Sequence, residues 1–139
     1  VGSEMCIRDS SKCISADVTA AYDPSFASAF EEMNVGYVNK GVTMNKFTGA
    51  RGKSGSNDAS AEYIAYLRGV FAKENVVWQT GELGRVDLGG GGTVAKYISK
   101  MNIDTVDMGV PVLSMHAPYE LISKADIYSA HKAFSAFVK

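Results

Sequence analysis

The sequence predicts an α/β protein, a three-layer sandwich around a largely parallel or mixed sheet. Two observations carry that prediction. Short β-branched runs alternate with longer stretches whose apolar residues recur every three or four positions, and chemically capable side chains gather at the ends of the short runs. With 139 residues, 46% of them apolar, the chain can bury one sizeable core, which predicts a single globular domain or a large piece of one.

The first strand is expected over residues 12 to 17, where the apolar run Cys13-Ile14-Ser15-Ala16 ends in Asp17. Tyr22-Asp23-Pro24-Ser25 then offers an aspartate cap and a proline in the first turn of a short helix, before a loop from 34 to 40. Gly41 to Phe47 alternates apolar and polar residues, as a strand with one buried face does. The glycine-rich polar stretch from Thr48 to Asn57 reads as a mobile or substrate-facing loop. Ser56 or Asn57 can cap a helix that turns Ala61, Ile64, Leu67 and Phe71 inward and ends near Asn75. Val76 to Thr80 is too short and too β-branched for helix and reads as a buried strand.

A long loop through Gly81, Gly84 and Gly89-Gly90-Gly91-Gly92 leads to Thr93, after which Val94, Tyr97, Ile98 and Met101 form a helical apolar stripe. Residues 105 to 109 and 112 to 115 are strand-like, either two strands or one bent at Gly109 and Pro111. Ser123 caps a last helix with Ile127, Ala130, Phe134 and Phe137 inward, and His131 lies beside that stripe as a surface or boundary residue.

Two residues stand out as candidate ligands. His116 closes the run Asp107-Met-Gly-Val-Pro-Val-Leu-Ser-Met-His116, with Pro118 turning the chain just beyond it, and Asp17 closes the first strand. A neutral imidazole nitrogen and a carboxylate oxygen are a donor mix that Zn²⁺ accepts, and strand ends are where α/β sheets place ligands. A hydrogen-bonded structural histidine and an aspartate capping a turn satisfy the same pattern. The glycine run needs its own test, because Gly90 to Ala95 formally satisfies the dinucleotide pattern G-x-G-x-x-G/A, with Asp107 as an acidic residue further on. That fingerprint requires a tight turn straight after a strand, and here residues 81 to 89 intervene. Gly52-Lys53-Ser54 resembles the end of a phosphate loop, but Phe47 stands where the first glycine is required. A non-enzymatic nucleotide- or anion-binding module built on Gly89 to Gly92 is the alternative reading.

Composition narrows the partners. Fourteen basic against fifteen acidic residues leave a net charge of -1 and no electrostatic case for nucleic acid or a membrane surface, so small or peptidic partners are expected. No run of eighteen apolar residues occurs, and residues 1 to 10 lack the apolar core of a signal peptide, which predicts a soluble, cytoplasmic protein. Cys6 and Cys13 form neither a Cys-x-x-Cys pair nor a disulfide framework, and Cys13 reads as a small core residue.

The segments Ile14-Ser-Ala-Asp17-Val18, Arg51 to Ser60, Trp78 to Asp87, Gly89 to Ala95 and Asp107 to Glu120 together resemble the carboxy-terminal part of the aspartyl (vacuolar-type) aminopeptidases, most of all bacterial ones. The resemblance covers residues 12 to 139 in unbroken segment order, and it is specific through Ser15-Ala16-Asp17 combined with Ser114-Met115-His116. It implies a zinc-exopeptidase-like fold and a two-zinc hydrolase that removes one residue, an acidic one among those expected, from a peptide's amino terminus. Asp17 matches a carboxylate ligand of one zinc and His116 the histidine ligand of the other. Gly91, Gly92 and Thr93 match the loop lining the substrate crevice, and Lys46 matches a lysine facing an acidic side chain. It also implies a homo-oligomer, a dodecamer, for the full-length protein.

The same resemblance implies parts that this sequence does not contain. The family uses an upstream histidine, a bridging aspartate and a Glu-Glu pair that supplies the general base, all before the position of Asp17, whereas Glu31 and Glu32 follow it. The expectation is therefore a chain that starts partway through a catalytic domain, behind a leader over residues 1 to 11 that matches nothing in the family.

Overall fold

The computed structural model describes residues 2–51, 54–85 and 87–139. Its elements are α1 (Gly2–Ser10), β1 (Lys12–Ala20), β2 (Val42–Asn45), β3 (Phe47–Ala50), β4 (Ser54–Asp58), α2 (Ala61–Lys73), β5 (Trp78–Thr80), β6 (Gly90–Gly91), α3 (Ala95–Ser99), β7 (Asp104–Leu113), β8 (Leu121–Ile122) and α4 (Lys124–Phe137). The main sheet runs β1-β7-β2-β5, with β8 added to the end of β7. β1 is parallel to β7 and β2 to β5, while β2 and β8 run antiparallel to β7, so the sheet is mixed and open. A second, antiparallel sheet is ordered β4-β3-β6.

β7 is the spine. It is a single strand through Gly109 and Pro111, because Pro111 falls between the residues paired with β2 and those paired with β8, where its missing N–H breaks no ladder on that side. The period-2 alternation sorts its two faces. Val106 and Met108 join Val42 and Met44 of β2 in the apolar cluster under α2 and α4, which contribute Tyr63, Leu67 and Phe71 and Ala130, Ala133 and Ala136. The opposite face presents Ser15, Thr19, Thr43, Asn45, Thr105 and Asp107, all buried. That polar face is bonded to the second sheet, since Thr48 of β3 donates to Asp107 and Asn57 of β4 to the Thr105 carbonyl.

Several elements differ from their sequence expectation for identifiable reasons. β1 continues three residues past Asp17, because Val18, Thr19 and Ala20 keep pairing with β7, so Asp17 lies within the strand. β2 is buried on both faces, since β7 and β5 flank it and the second layer covers its threonine and asparagine. β5 is the edge strand and only half-buried, with Val77 beside it exposed. The stretch from Thr48 to Asn57 forms the β3–β4 hairpin instead of a loop, residues 52 and 53 lying outside the described residues.

The helices shift as well. Ser60 caps α2, its Oγ accepting from the Tyr63 N–H at 3.2 Å, because Ser56 and Asn57 are held in β4. The inner stripe of α2 is then Tyr63, Leu67 and Phe71, with Ile64 partly packed and Ala61 exposed. α3 is a short helix that buries only Ala95 and leaves Val94, Tyr97 and Met101 exposed. Ser123 caps α4 as expected. The buried residues of that helix are Asp126, Ser129, Ala130, Ala133 and Ala136, with Phe134 and Phe137 at the margin and Ile127 outward. Asp23 caps a 3₁₀ turn over Pro24–Ala29 through the Ser25 N–H, and His131 is exposed. α1 buries none of its residues. Among the described residues no helix is long and apolar enough to cross a membrane.

Candidate functional site

Asp17 and His116, distant in sequence, line one cavity of about 370 Å³, together with Gly90, Gly91, Gly92 and Thr93. The apolar part of its wall comes from Val18 and Ala20 of β1, Ala29 and Phe30 of the 3₁₀ turn, Leu83, and Met115.

Asp17 reaches the cavity because β1 lies unusually close to β7. A Cβ built on Gly109, its register partner, would stand 1.2 Å from the Asp17 carbonyl oxygen, so only glycine permits this approach. The carboxylate is exposed, and its Oδ1 accepts from the Val18 N–H at 2.7 Å. His116 sits beyond the end of β7 in a turn where both it and Ser114 have left-handed backbone, at φ 67° and 59°. The turn is closed by the Ala117 N–H donating to the Ser114 carbonyl at 3.0 Å and by the His116 N–H donating to Glu120 Oε1 at 2.6 Å. Left-handed backbone at a non-glycine residue costs of order 1–2 kcal/mol, and such strain clusters where a side chain must be aimed.

The glycine run is partly strand. Gly90 and Gly91 pair with Ala50 and Gly49 of β3, and a Cβ on Gly90 (φ +81°) would meet the Gly49 carbonyl at 2.3 Å. The glycines therefore serve close backbone approach, not a turn into a helix around a pyrophosphate. Thr93 Oγ1 donates to Asp107 Oδ2 at 2.8 Å, and Thr48 Oγ1 donates to the same oxygen at 2.8 Å. Asp107, only 1% exposed, is thus an internal clamp on the run, which commits the acidic residue of the dinucleotide-like pattern elsewhere. Sequence reading missed the Thr48–Asp107–Thr93 clamp. Its one available signal was an aspartate interrupting the apolar strand from 105 to 109.

Lys46 is not part of this cavity. It follows β2 on the surface, forms an ion pair with Asp58, and lines a separate cavity of about 210 Å³ with Asn34, Phe47, Thr80, Gly81 and Glu82. Burial, and secondarily the negative charge of Glu31, pushes the Glu82 carboxyl above its usual range. Burial and then Asp107 push the half-buried Cys13 thiol up, which leaves it a poor ligand or nucleophile.

The donor types fit zinc, as a carboxylate and an imidazole that face one cavity. Their number does not complete a site, because zinc takes four ligands and no group of three or more His, Cys, Asp or Glu that could hold a metal occurs among the described residues.

Residues 3–138 match the family model described as "Aminopeptidase I zinc metalloprotease (M18)". The chain is 52% identical over 128 residues to a probable M18 family aminopeptidase 1 of Clostridium acetobutylicum, covering 92% of this chain and 28% of that protein. The crystal structure of aminopeptidase I from the same organism superposes with a TM-score of 0.88 at 51% identity, over 92% of this chain and 28% of that one. The M18 aminopeptidase structure from Thermotoga maritima superposes at 0.93 with 39% identity, over 98% and 30% respectively. The chain spans less than a third of the length of these relatives.

Proposed function

The chain belongs to the M18 family of zinc metalloproteases, and from that premise we propose that it is the carboxy-terminal part of the catalytic domain of a zinc aminopeptidase. The observation that carries this reading is the convergence of Asp17 and His116 on one cavity bordered by Gly91, Gly92 and Thr93. Zinc, when bound, supplies the Lewis acidity that polarises a scissile carbonyl. The Asp17 carboxylate and the His116 imidazole would hold the zinc ions, with Glu120 fixing the turn at His116 through the His116 backbone N–H and the close approach over Gly109 fixing the strand that carries Asp17. The Gly91-Gly92 backbone and Thr93 line the crevice for the peptide's amino end, with Asp107 holding Thr93 in place. The packed part of the domain starts at Lys12, since α1 buries none of its residues although the family match begins at residue 3.

The general base and the remaining ligands come from sequence outside this chain, so the 139 residues alone bind zinc weakly and do not hydrolyse peptides. The whole enzyme assembles as a homo-oligomer, a dodecamer. Calorimetric zinc titration of the chain tests the assignment: Asp17→Ala and His116→Ala should each reduce the heat of binding, and a peptide assay should show no turnover. Zinc binding indifferent to both substitutions, or robust turnover by the chain alone, would refute it. NAD binding unaffected by either change would instead favour the nucleotide-binding alternative.

A further inference from the structure

We propose that the junction between residues 29–34 and 82–85 is a pH-sensitive latch on one wall of the Asp17–His116 cavity, closed when Glu82 carries a proton and parted when Glu31 and Glu82 are both ionised. The inference concerns the motion of two segments and holds independently of the aminopeptidase reading. Three hydrogen bonds join the segments. The Glu82 N–H donates to the Asn34 carbonyl at 2.6 Å, the Arg85 N–H to the Ala29 carbonyl at 3.2 Å, and Arg85 Nε to the Phe30 carbonyl at 3.1 Å. Between them Gly84, with left-handed backbone at φ 68°, comes so close that a Cβ built on it would stand 3.3 Å from the Ala29 carbonyl oxygen. The junction borders two cavities. Ala29, Phe30, Leu83 and Gly84 line the one that holds Asp17 and His116, while Glu31, Glu82, Arg85, Asp87 and Leu88 line another of about 400 Å³.

Charge sets the two states. Glu31 on one segment and Glu82 on the other face the second cavity together with Asp87, so ionisation places three carboxylates around one space. Two cations lie within reach of Glu82. Arg85 shares the cavity, with its Nε bonded to the Phe30 carbonyl, and Lys46 borders Glu82 through a third cavity but is ion-paired with Asp58. Glu32 is turned to Tyr22, whose hydroxyl donates to its Oε1 at 3.0 Å. Burial, and after it the charge of Glu31, prevails over the cations and holds the Glu82 carboxyl above its usual range. A closed form that binds this proton more tightly is itself favoured by the proton, so the latch tightens as pH falls and loosens as pH rises through the folded value. Parting returns both carboxylates to water and gives the freed N–H groups water as a partner.

Backbone hydrogen exchange in the full-length protein that contains this chain tests the latch, with rates corrected for the base catalysis of exchange itself. The Glu82 and Arg85 amides should exchange at least about tenfold faster than those of Leu67 and Phe71 in the buried stripe of α2, because the latch parts without unfolding the core. Their protection is expected to fall by about two- to fivefold between about pH 5 and about pH 8, the size of one charge interaction near a surface. Glu82→Gln should hold the higher protection at both pH values. Glu31→Gln, at an exposed position, should reduce the pH dependence about twofold, and it keeps the test readable should Glu82→Gln not fold. Exchange as slow as that of the α2 amides, protection independent of pH, or a pH dependence that survives both substitutions overturns the inference.

Discussion

Gly109→Ala is the most direct test of how this fold positions its site. A methyl group at Gly109 would stand 1.2 Å from the Asp17 carbonyl oxygen, 2.3 Å from its carbon and 3.0 Å from the Val18 nitrogen. All three obstacles are backbone, so no side chain can rotate away, and β1 must retreat from β7 by roughly 2 Å to reach an ordinary contact. Ladder hydrogen bonds tolerate only a few tenths of an ångström, so the retreat also breaks pairing around Asp17. Overpacking costs about 1–3 kcal/mol and each lost bond about 1 kcal/mol, which puts the total near 3–4 kcal/mol. For a domain of this size, at about 4 °C per kcal/mol, the melting temperature should fall by roughly 12–16 °C. Gly69→Ala is the matched control. It lies on the exposed side of α2 with nothing within 4 Å of a built Cβ, and alanine there should stabilise by about 0.5–1 kcal/mol. Thermal unfolding followed by circular dichroism reads both. A Gly109→Ala melting temperature within about 4 °C of the parent chain's, or equal destabilisation by both alanines, would refute the close approach of β1 to β7.

Two further outcomes follow from groups that the site does not use. Asp126, 1% exposed at the start of α4, accepts from the N–H groups of Asn39 at 2.7 Å and Gly41 at 2.8 Å. Asp126→Ala strands the buried Gly41 N–H while water can reach Asn39, for a loss of about 1–3 kcal/mol in urea unfolding, and Asp126→Asn should recover part of it because its amide oxygen still accepts one bond. Glu82 has its carboxyl pushed up by burial and by Glu31, so the folded state holds that proton more tightly than the unfolded chain does. Its favourable contribution is present below the usual glutamate range and is lost as pH rises through the folded value, which makes the ionised carboxylate a liability at neutral pH. Glu82→Gln should therefore raise the denaturation midpoint at about pH 7 and lose that advantage towards about pH 4, and a gain independent of pH would contradict the stated cause.

The alternation of elements and most of their centres were legible because periodicity reports which face is wet. Leu67 and Phe71 turn inward, Ser123 and Asp23 cap as their side chains suggest, and Asp17, Gly91, Gly92, Thr93 and His116 come together. What was not legible depends on partners far along the chain. The Thr48 to Asn57 stretch looks like a loop because its polar residues are satisfied by β7 and not by water, with Thr48 donating to Asp107 and Asn57 to the Thr105 carbonyl. The helix stripe from Val94 to Met101 is apolar in sequence and exposed in the fold, so periodicity alone could not say what it faces. Lys46 looks available until the hairpin brings Asp58 beside it.

The polar face of the main sheet is the feature that links fold to site. Helix-packed sheets ordinarily bury apolar residues on both faces, yet β1, β2 and β7 bury Ser15, Thr19, Thr43, Asn45 and Asp107 together. The face is partly satisfied: Thr19 Oγ1 donates to Asn45 Oδ1 at 3.4 Å across β7, and Asp107 Oδ2 accepts two hydroxyls. Ser15 Oγ, Thr43 Oγ1 and Asp107 Oδ1 are buried without a partner among the described residues, although Ser15 is in register with Asp107. Each such atom costs about 1–3 kcal/mol, a loss that an apolar face would avoid. The arrangement makes sense if the face is a mount. Its bonds hold the Thr93 end of the glycine run through Asp107, and Gly109, in the same plane of side chains, lets Asp17 come close enough to face His116 across the cavity. Stability is thereby exchanged for the placement of a few groups at one edge of the sheet, which is where local rules are expected to be broken in a protein whose site is built on its strands.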